Sequence, residues 1–393
     1  MLIGQRLTVL GAGIGGLAVA LACARRGAVV EVIEQAGALR EVGAGLQISP
    51  NGMAVLDALG VGAAVAQGAP RGRRVWLVDG IRGRRVVKLD LTAIQSPHPW
   101  CLVHRADLVA ALGAEAAAAG VRVRFATRVA AVAVEPDAVR LSLEDGRVER
   151  PPLVIAADGV RSVARAALGP APAPRFTGQT AWRALVPLDA PALPEVRVFL
   201  GPGRHLVAYP LRDGRLMNLV AVEERAGWAE EGWSHPDDPA RMRAAFAGFG
   251  PEARGLLERV GEVHRWGLFR HPVAGVWGRA GAAGGGLAGL GDAIHPTLPF
   301  LAQGACMALE DAWVLARALA EAETPAGAFA AYQATRRDRA LRTVAAAGRN
   351  AWAYHLRGPV RPLAHAGLRL ADRLAPGAAL RGFDWLYTHD VTR

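Results

Sequence analysis

Gly11, Gly13 and Gly16 in the run GAGIGG satisfy the spacing GxGxxG. The first glycine permits a tight turn, the second lets backbone approach a pyrophosphate, and the third lets a helix pack on a strand. Phosphates at the start of that helix would meet unpaired N–H groups and the positive end of its dipole. Glycine runs also make ordinary turns. Here an apolar strand precedes the run, an apolar helix follows, and Glu34 ends the next strand, which together form a dinucleotide signature. A carboxylate at that point accepts hydrogen bonds from ribose hydroxyls and repels a 2′-phosphate.

Two further blocks carry acids at strand ends. Asp158 opens DGVRS directly after the apolar run 153–157, a pattern that a plain turn also gives. Asp292 lies in GDAIHPTLPFLAQGA, where Pro296 and Pro299 stiffen a loop and Gln303, Gly304 and Ala305 lead into a helix. An aspartate there can hold a sugar-like hydroxyl. In GPGRHLVAYP the alternation of a strand puts His205, Val207 and Tyr209 on one side. A lone strand histidine is ordinarily structural, and His295 is expected to position its loop. Three cysteines, Cys23, Cys101 and Cys306, lie far apart without CxxC spacing, which excludes a zinc or iron–sulfur framework and predicts buried thiols. No metal ligand cluster is present.

The elements that must position these residues begin with a βαβ unit: strand 7–10, an apolar helical stretch 17–24 and strand 29–33. Residues 73–91 alternate as half-buried antiparallel strands do. A helix is expected over 108–119, a strand at 121–123 and a hairpin from 129–134 with 139–143. Residues 153–157 suit a central parallel strand. The prolines of 170–174 read as a linker, 180–222 as antiparallel sheet, 239–260 as helical, 287–290 as a buried strand, and the chain from 306 onward as helices broken near Pro325, Pro359 and Pro376. Nucleotide-binding residues thus fall in three blocks with β-rich insertions between them. The 393 residues fit two interleaved domains around one cleft.

The net charge of +11 comes almost wholly from arginine, Lys88 being the sole lysine. The arginines are scattered and form no stripe with interleaved aromatics, which argues against nucleic acid. A positive field suits an anionic substrate and a pyrophosphate. No apolar run is long enough for a membrane helix, and the glycine motif begins where a cleavable leader would sit, so a soluble, cytoplasmic protein is expected.

GAGIGGL with Glu34, ADGVRS and GDAIHPTLPFLAQGACMALEDA resemble, in order and spacing, the motifs of the class A flavoprotein monooxygenases, the aromatic hydroxylases. The segment LREVGAGLQISPN (39–51) and HRADL (104–108) look like further signatures of that family. The PFLAQGA loop, Ala181-Trp182-Arg183 and the closing FDWLY are similar to salicylate hydroxylases and 3-hydroxybenzoate 6-hydroxylases, with 6-hydroxynicotinate 3-monooxygenases in the same neighbourhood.

The resemblance implies an α/β, glutathione-reductase-like fold. A Rossmann-type FAD-binding domain would comprise residues 1–72, 99–175 and 275–345. An interleaved β-rich substrate domain would comprise 73–98 and 176–274, with a helical C-terminal region over 346–393. FAD is expected to be held non-covalently, with NADH or NADPH as co-substrate. Glu34 would bind the FAD ribose, Arg40 and Arg105 would lie along the cofactor, Asp158 would serve the pyrophosphate and nicotinamide side, and Asp292 the ribityl chain. Pro299, Gly304 and Ala305 would border the flavin.

The implied activity is hydroxylation of a small phenolic or aromatic carboxylic acid with O2, through a flavin C4a-hydroperoxide. A base near neutral pKa helps by deprotonating the phenol. His205 and Tyr209 resemble the substrate-side pair of 3-hydroxybenzoate hydroxylases, and Gln303 is placed to meet substrate or peroxide. The implied partners are a small aromatic substrate and O2, without nucleic acid or membrane; a homodimer fits the same reading. Two alternatives differ in chemistry. A flavin halogenase needs a catalytic lysine and WxWxIP, but Trp182 is followed by Arg183 and Ala184, and Lys88 lies outside the expected context. A non-hydroxylating FAD-binding module would not need the retained loop.

Overall fold

A computed structural model describes residues 2–39, 45–170, 172–225, 227, 231 and 235–393. Arg40 and the adjoining 41–44 lie outside the described residues. Two sheets organise the chain. The first has six strands in the order Gly278–Ala280, Gly286–Gly289, Leu153–Ala156, Arg6–Leu10, Val29–Ile33, Arg122–Arg124. Its pairings are parallel except at the Gly278–Ala280 edge. Leu153–Ala156 is central and fully buried, as its unbroken apolar run requires. Helix Ile14–Ala24 packs on Arg105–Ala118 and on Gly304–Glu321, in a core built mainly of leucine, valine and alanine. The three cysteines are buried and free.

The second sheet has eight strands: His235–Asp237, Val263–Arg270, Arg175–Pro187, Leu216–Glu224, Arg204–Leu211, Glu195–Gly201, Arg74–Asp79, Arg85–Asp90. The 73–91 region pairs with itself antiparallel, as its alternation indicates, but Arg74–Asp79 also pairs parallel with Glu195–Gly201. That long-range pairing makes one sheet from two insertions. One face, with Leu206, Ala208, Leu219 and Ala221, packs against Met242, Phe246 and Leu257. The latter come from the 239–260 region, which divides into helices Pro239–Ala245 and Pro251–Glu258, a proline opening each.

The opposite face carries Val207 and Tyr209 against Leu301, Ala346, Ala347 and Tyr387. Phe300 and Ala351 cover the neighbouring strands. The helix Pro325–Ala353 therefore serves both cores: Phe329 and Tyr332 belong to the first, Ala346, Ala347 and Ala351 to the sheet. The expected division at 345/346 falls inside this one continuous helix, whose buried stripe runs from Phe329 and Tyr332 through Arg336 and Thr343 to Ala346, Ala347 and Ala351. Likewise the helix expected from 108 begins at Arg105.

Candidate active site

Strand Arg6–Leu10 ends at the glycine turn. Gly11 has φ +96°, and a Cβ there would stand 2.6 Å from the Ala157 carbonyl oxygen. A Cβ on Gly16 would stand 1.9 Å from the Gly11 oxygen. Gly11 is thus demanded by the residue that follows Leu153–Ala156, and Gly16 by the backbone of the turn itself. Gly13 is the extended N-cap of the helix, with no side chain capping it. Its first N–H groups are left to an anion. Glu34 closes the loop from beside it: one carboxylate oxygen accepts from Ala12 N (2.7 Å) and the other from Ala36 N (2.8 Å). Each oxygen retains a lone pair for a ligand hydroxyl.

The other two acids sit at the ends of the neighbouring strands. Asp158 accepts from Val163 N (2.9 Å) and Ala164 N (3.4 Å) through Oδ2, while its buried Oδ1 has no partner. Burial pushes this carboxyl above the usual carboxylate range. Asp292 lies in the one-turn 3₁₀ segment Gly291–Ala293, and no described residue donates a hydrogen bond to its carboxylate. Its enclosure raises the carboxyl pKa against the opposing charges of His295 and Arg105. Two enclosed carboxylates with unused acceptor capacity flank one glycine turn, which fits a polyhydroxylated nucleotide cofactor. Opposite them Gly304 opens helix Gly304–Glu321, and a Cβ there would meet only the Thr297 methyl at 3.6 Å. The backbone at Gly304 and half-buried Ala305 is therefore open to a flat ligand edge, with exposed Pro299 at the start of the same loop. Ala302 holds left-handed φ +54° without being glycine, strain that the surrounding loop must maintain.

Gln303, the N-cap of that helix, is held at both ends of its amide. Its Nε2 donates to Ser49 Oγ (2.9 Å) and its Oε1 accepts from Asn51 Nδ2 (3.1 Å). Asn51 also donates to Glu310 (2.6 Å), which pairs with Arg336 and Arg339. Arg336 Nε reaches Asp311 (2.8 Å), and Asp311 holds His295 Nε2 at 2.5 Å. Burial alone would raise both acids. The guanidinium charges, with His295 beside Asp311, hold Glu310 and Asp311 at about 2. This buried network fixes the loop 291–304 to the two long helices, and His295 positions the loop as expected. Ser49 and Asn51 lie in the family-like segment 39–51, but nothing in the sequence marked Arg336 or Arg339.

His205 and Tyr209 share one sheet face, the one turned toward the loop. His205 is 2% exposed, with its ring 5.4 Å from Phe300 and 5.1 Å from Tyr354. Its Nδ1 lies 2.7 Å from Nε2 of His355. Burial, then the charge of His355, lowers its pKa well below the ordinary histidine value. Burial raises the Tyr209 phenol, keeping it protonated. Two neighbours had no role assigned from sequence, although Arg183 lay in a family-like segment. Arg183, buried and stacked at 5.7 Å over Trp266, brings a positive charge close enough to act on Tyr209. Asn218 accepts from Gly45 N (2.8 Å), and its buried Nδ2 has no partner. A Cβ on Gly45 would strike both Asn218 and the Tyr209 ring at 2.6 Å, so that glycine lets strand Gly45–Ile48 reach the sheet.

The chain as a whole is similar to known proteins. A family profile described as FAD binding domain matches residues 6–229. The 3-amino-4-hydroxybenzoate 2-monooxygenase of Streptomyces platensis is 35% identical over 391 residues, 96% of each chain. The 3-hydroxybenzoate 6-hydroxylase of Klebsiella oxytoca is 33% identical over 396 residues, covering 98% of this chain and 96% of the relative. Among solved structures, Klebsiella pneumoniae HpxO complexed with FAD and uric acid aligns with a TM-score of 0.80 at 28% identity, over 94% of each chain. The chain belongs to the FAD-binding class A flavoprotein monooxygenases.

Proposed function

We propose that the protein is a single-component, FAD-dependent monooxygenase that uses NADH or NADPH and O2 to hydroxylate a small phenolic or aromatic carboxylic acid. The observation that carries this is His205: a buried, neutral imidazole, beside Phe300 of the loop that follows Asp292, on one strand face with Tyr209. FAD would be held by the glycine turn, Glu34, Asp158 and Asp292, with Arg40 and Arg105 along it, and when reduced it supplies the activated oxygen. His205 takes the phenolic proton, which raises electron density ortho and para to the oxygen. Tyr209, protonated, orients the ring by donating a hydrogen bond. Arg183 favours an anionic substrate electrostatically. We assign Gln303 to positioning, since its amide is engaged at both ends by Ser49 and Asn51.

Halogenase chemistry is disfavoured: Lys88 stands on the outermost strand, its side chain 45% exposed and paired with Asp90. No described helix is long and apolar enough to cross a membrane, and the demand for reduced nicotinamide suits the cytoplasm. A homodimer belongs to the same proposal, supported by Val360, Leu363, Leu370 and Leu374 exposed along one face of helix Val360–Leu374.

The test is His205→Gln assayed on salicylate, 3- and 4-hydroxybenzoate and 6-hydroxynicotinate. General-base assistance is typically worth about 10² to 10⁴ in rate, so hydroxylation should fall within that range while peroxide per NADH rises and FAD content stays. Wild-type coupling in the variant would make His205 a bystander.

A further inference from the structure

A base buried as deeply as His205 cannot keep the proton it takes, because its charged form is penalised where it sits. The side chains behind it offer a way out. His205 Nδ1 meets His355 Nε2 at 2.7 Å, and His355 Nδ1 meets Glu224 Oε1 at 3.1 Å. Glu224 is 35% exposed at its side chain and pairs through its other oxygen with Arg357, itself 63% exposed. The row therefore runs from a closed imidazole to the solvent boundary. His355 is buried, and Arg357 and Arg204 oppose its protonation while Glu224 favours it.

The hydrogen-bonding capacities fix the direction of this row. Glu224 only accepts, so His355 carries its hydrogen on Nδ1. Its Nε2 must then accept from His205 Nδ1–H, which leaves His205 Nε2 as the basic nitrogen. Gln179 also stands 3.2 Å from His355 Nδ1, and its Oε1 has no partner; turning the amide over sets that oxygen against the same hydrogen.

We propose that His205, His355 and Glu224 form a proton relay that carries the substrate's phenolic proton from the buried pocket to solvent. The proposal rests on His205 being the base. As the phenol O–H breaks, N–H forms at His205 Nε2. The Nδ1 hydrogen of His205 passes to His355 Nε2, the Nδ1 hydrogen of His355 passes to Glu224, and the resulting carboxylic acid releases it to water. One proton leaves for each proton taken, and no charge stays on either ring. Run in reverse, the row returns a proton to a phenolate product and resets both tautomers.

The relay is tested without substrate by long-range ¹H–¹⁵N spectra of the FAD-bound protein labelled at histidine. Both rings should be neutral at pH 7 with hydrogen on Nδ1, and Glu224→Gln, whose amide can donate, should move the His355 hydrogen to Nε2. Hydrogen on Nε2 of His355 in the wild type, or tautomers indifferent to Glu224→Gln, would overturn the relay and leave the hydroxylation reading standing. The kinetic arm mixes FAD-bound protein with 3-hydroxybenzoate in weakly buffered phenol red. Glu224→Gln and His355→Gln should slow proton release about tenfold or more, with FAD content and 3-hydroxybenzoate affinity unchanged, and added imidazole should restore His355→Ala. Wild-type release in both Gln variants would overturn the relay, whereas unchanged coupling in His205→Gln would instead refute the base assignment.

Discussion

At the scale of the residue, Asp292 carries more of the cofactor argument than any single glycine. Gly11 and Gly16 are required by protein atoms alone, so their replacement would report on packing as much as on FAD. The Asp292 carboxylate, by contrast, has no donor among the described residues. The fold therefore gains little from it and the ligand much. Losing a charged acceptor costs roughly 1.5–3 kcal/mol. Asp292→Ala should thus weaken FAD binding about ten- to a hundredfold with the thermal transition of the apoprotein unmoved. Titration of apoprotein against flavin fluorescence reads this directly, and unchanged affinity would reassign Asp292 to loop structure.

At the scale of the element, the helices Gly304–Glu321 and Pro325–Ala353 are joined by Glu310 and Asp311 on one and Arg336 and Arg339 on the other. Removing one partner of a buried pair leaves an uncompensated charge and costs about 3–5 kcal/mol. Arg336→Met should lower the urea midpoint accordingly; an unshifted midpoint would show the network to be dispensable. Both acids titrate lower in the folded chain, near 2, than their ordinary values of 4.5 and 3.8. Their contribution to stability is therefore complete above about pH 5 and is lost as pH falls from there toward 2. Arg336→Met should move the acid transition to higher pH.

These elements also show what could be read before the fold was known. The glycine turn, Glu34 and the strand before Asp158 were legible because their information is local: glycine spacing, a β-branched run, an acid at its end. The same-face placement of His205 and Tyr209 needed only the two-residue period of a strand. His355 was not legible, since 150 residues separate it from His205 and only the course of Pro325–Ala353 brings them together. The parallel pairing of Arg74–Asp79 with Glu195–Gly201 was hidden for the same reason. Gln303 sat in the right loop, but which way its amide turns depends on Ser49 and Asn51, some 250 residues earlier.

At the scale of the whole molecule, the acids proposed to hold FAD end strands of one sheet and the candidate base sits on another. The loop 291–304 and the long helix Pro325–Ala353 hold the two together. The chain's net charge of +11 is consistent with the proposed preference for anionic aromatics. The central claim is that these sheets cooperate to place oxygen from O2 on an aromatic ring. The direct measurement is mass spectrometry of the product formed from the hydroxybenzoate and hydroxynicotinate panel with NADH, or NADPH, under ¹⁸O2 in ordinary water. One ¹⁸O atom in the new hydroxyl group, with product approaching one per nicotinamide consumed, is the expected result. Nicotinamide oxidation that yields only peroxide with every phenol, or a product hydroxyl free of label, would contradict it.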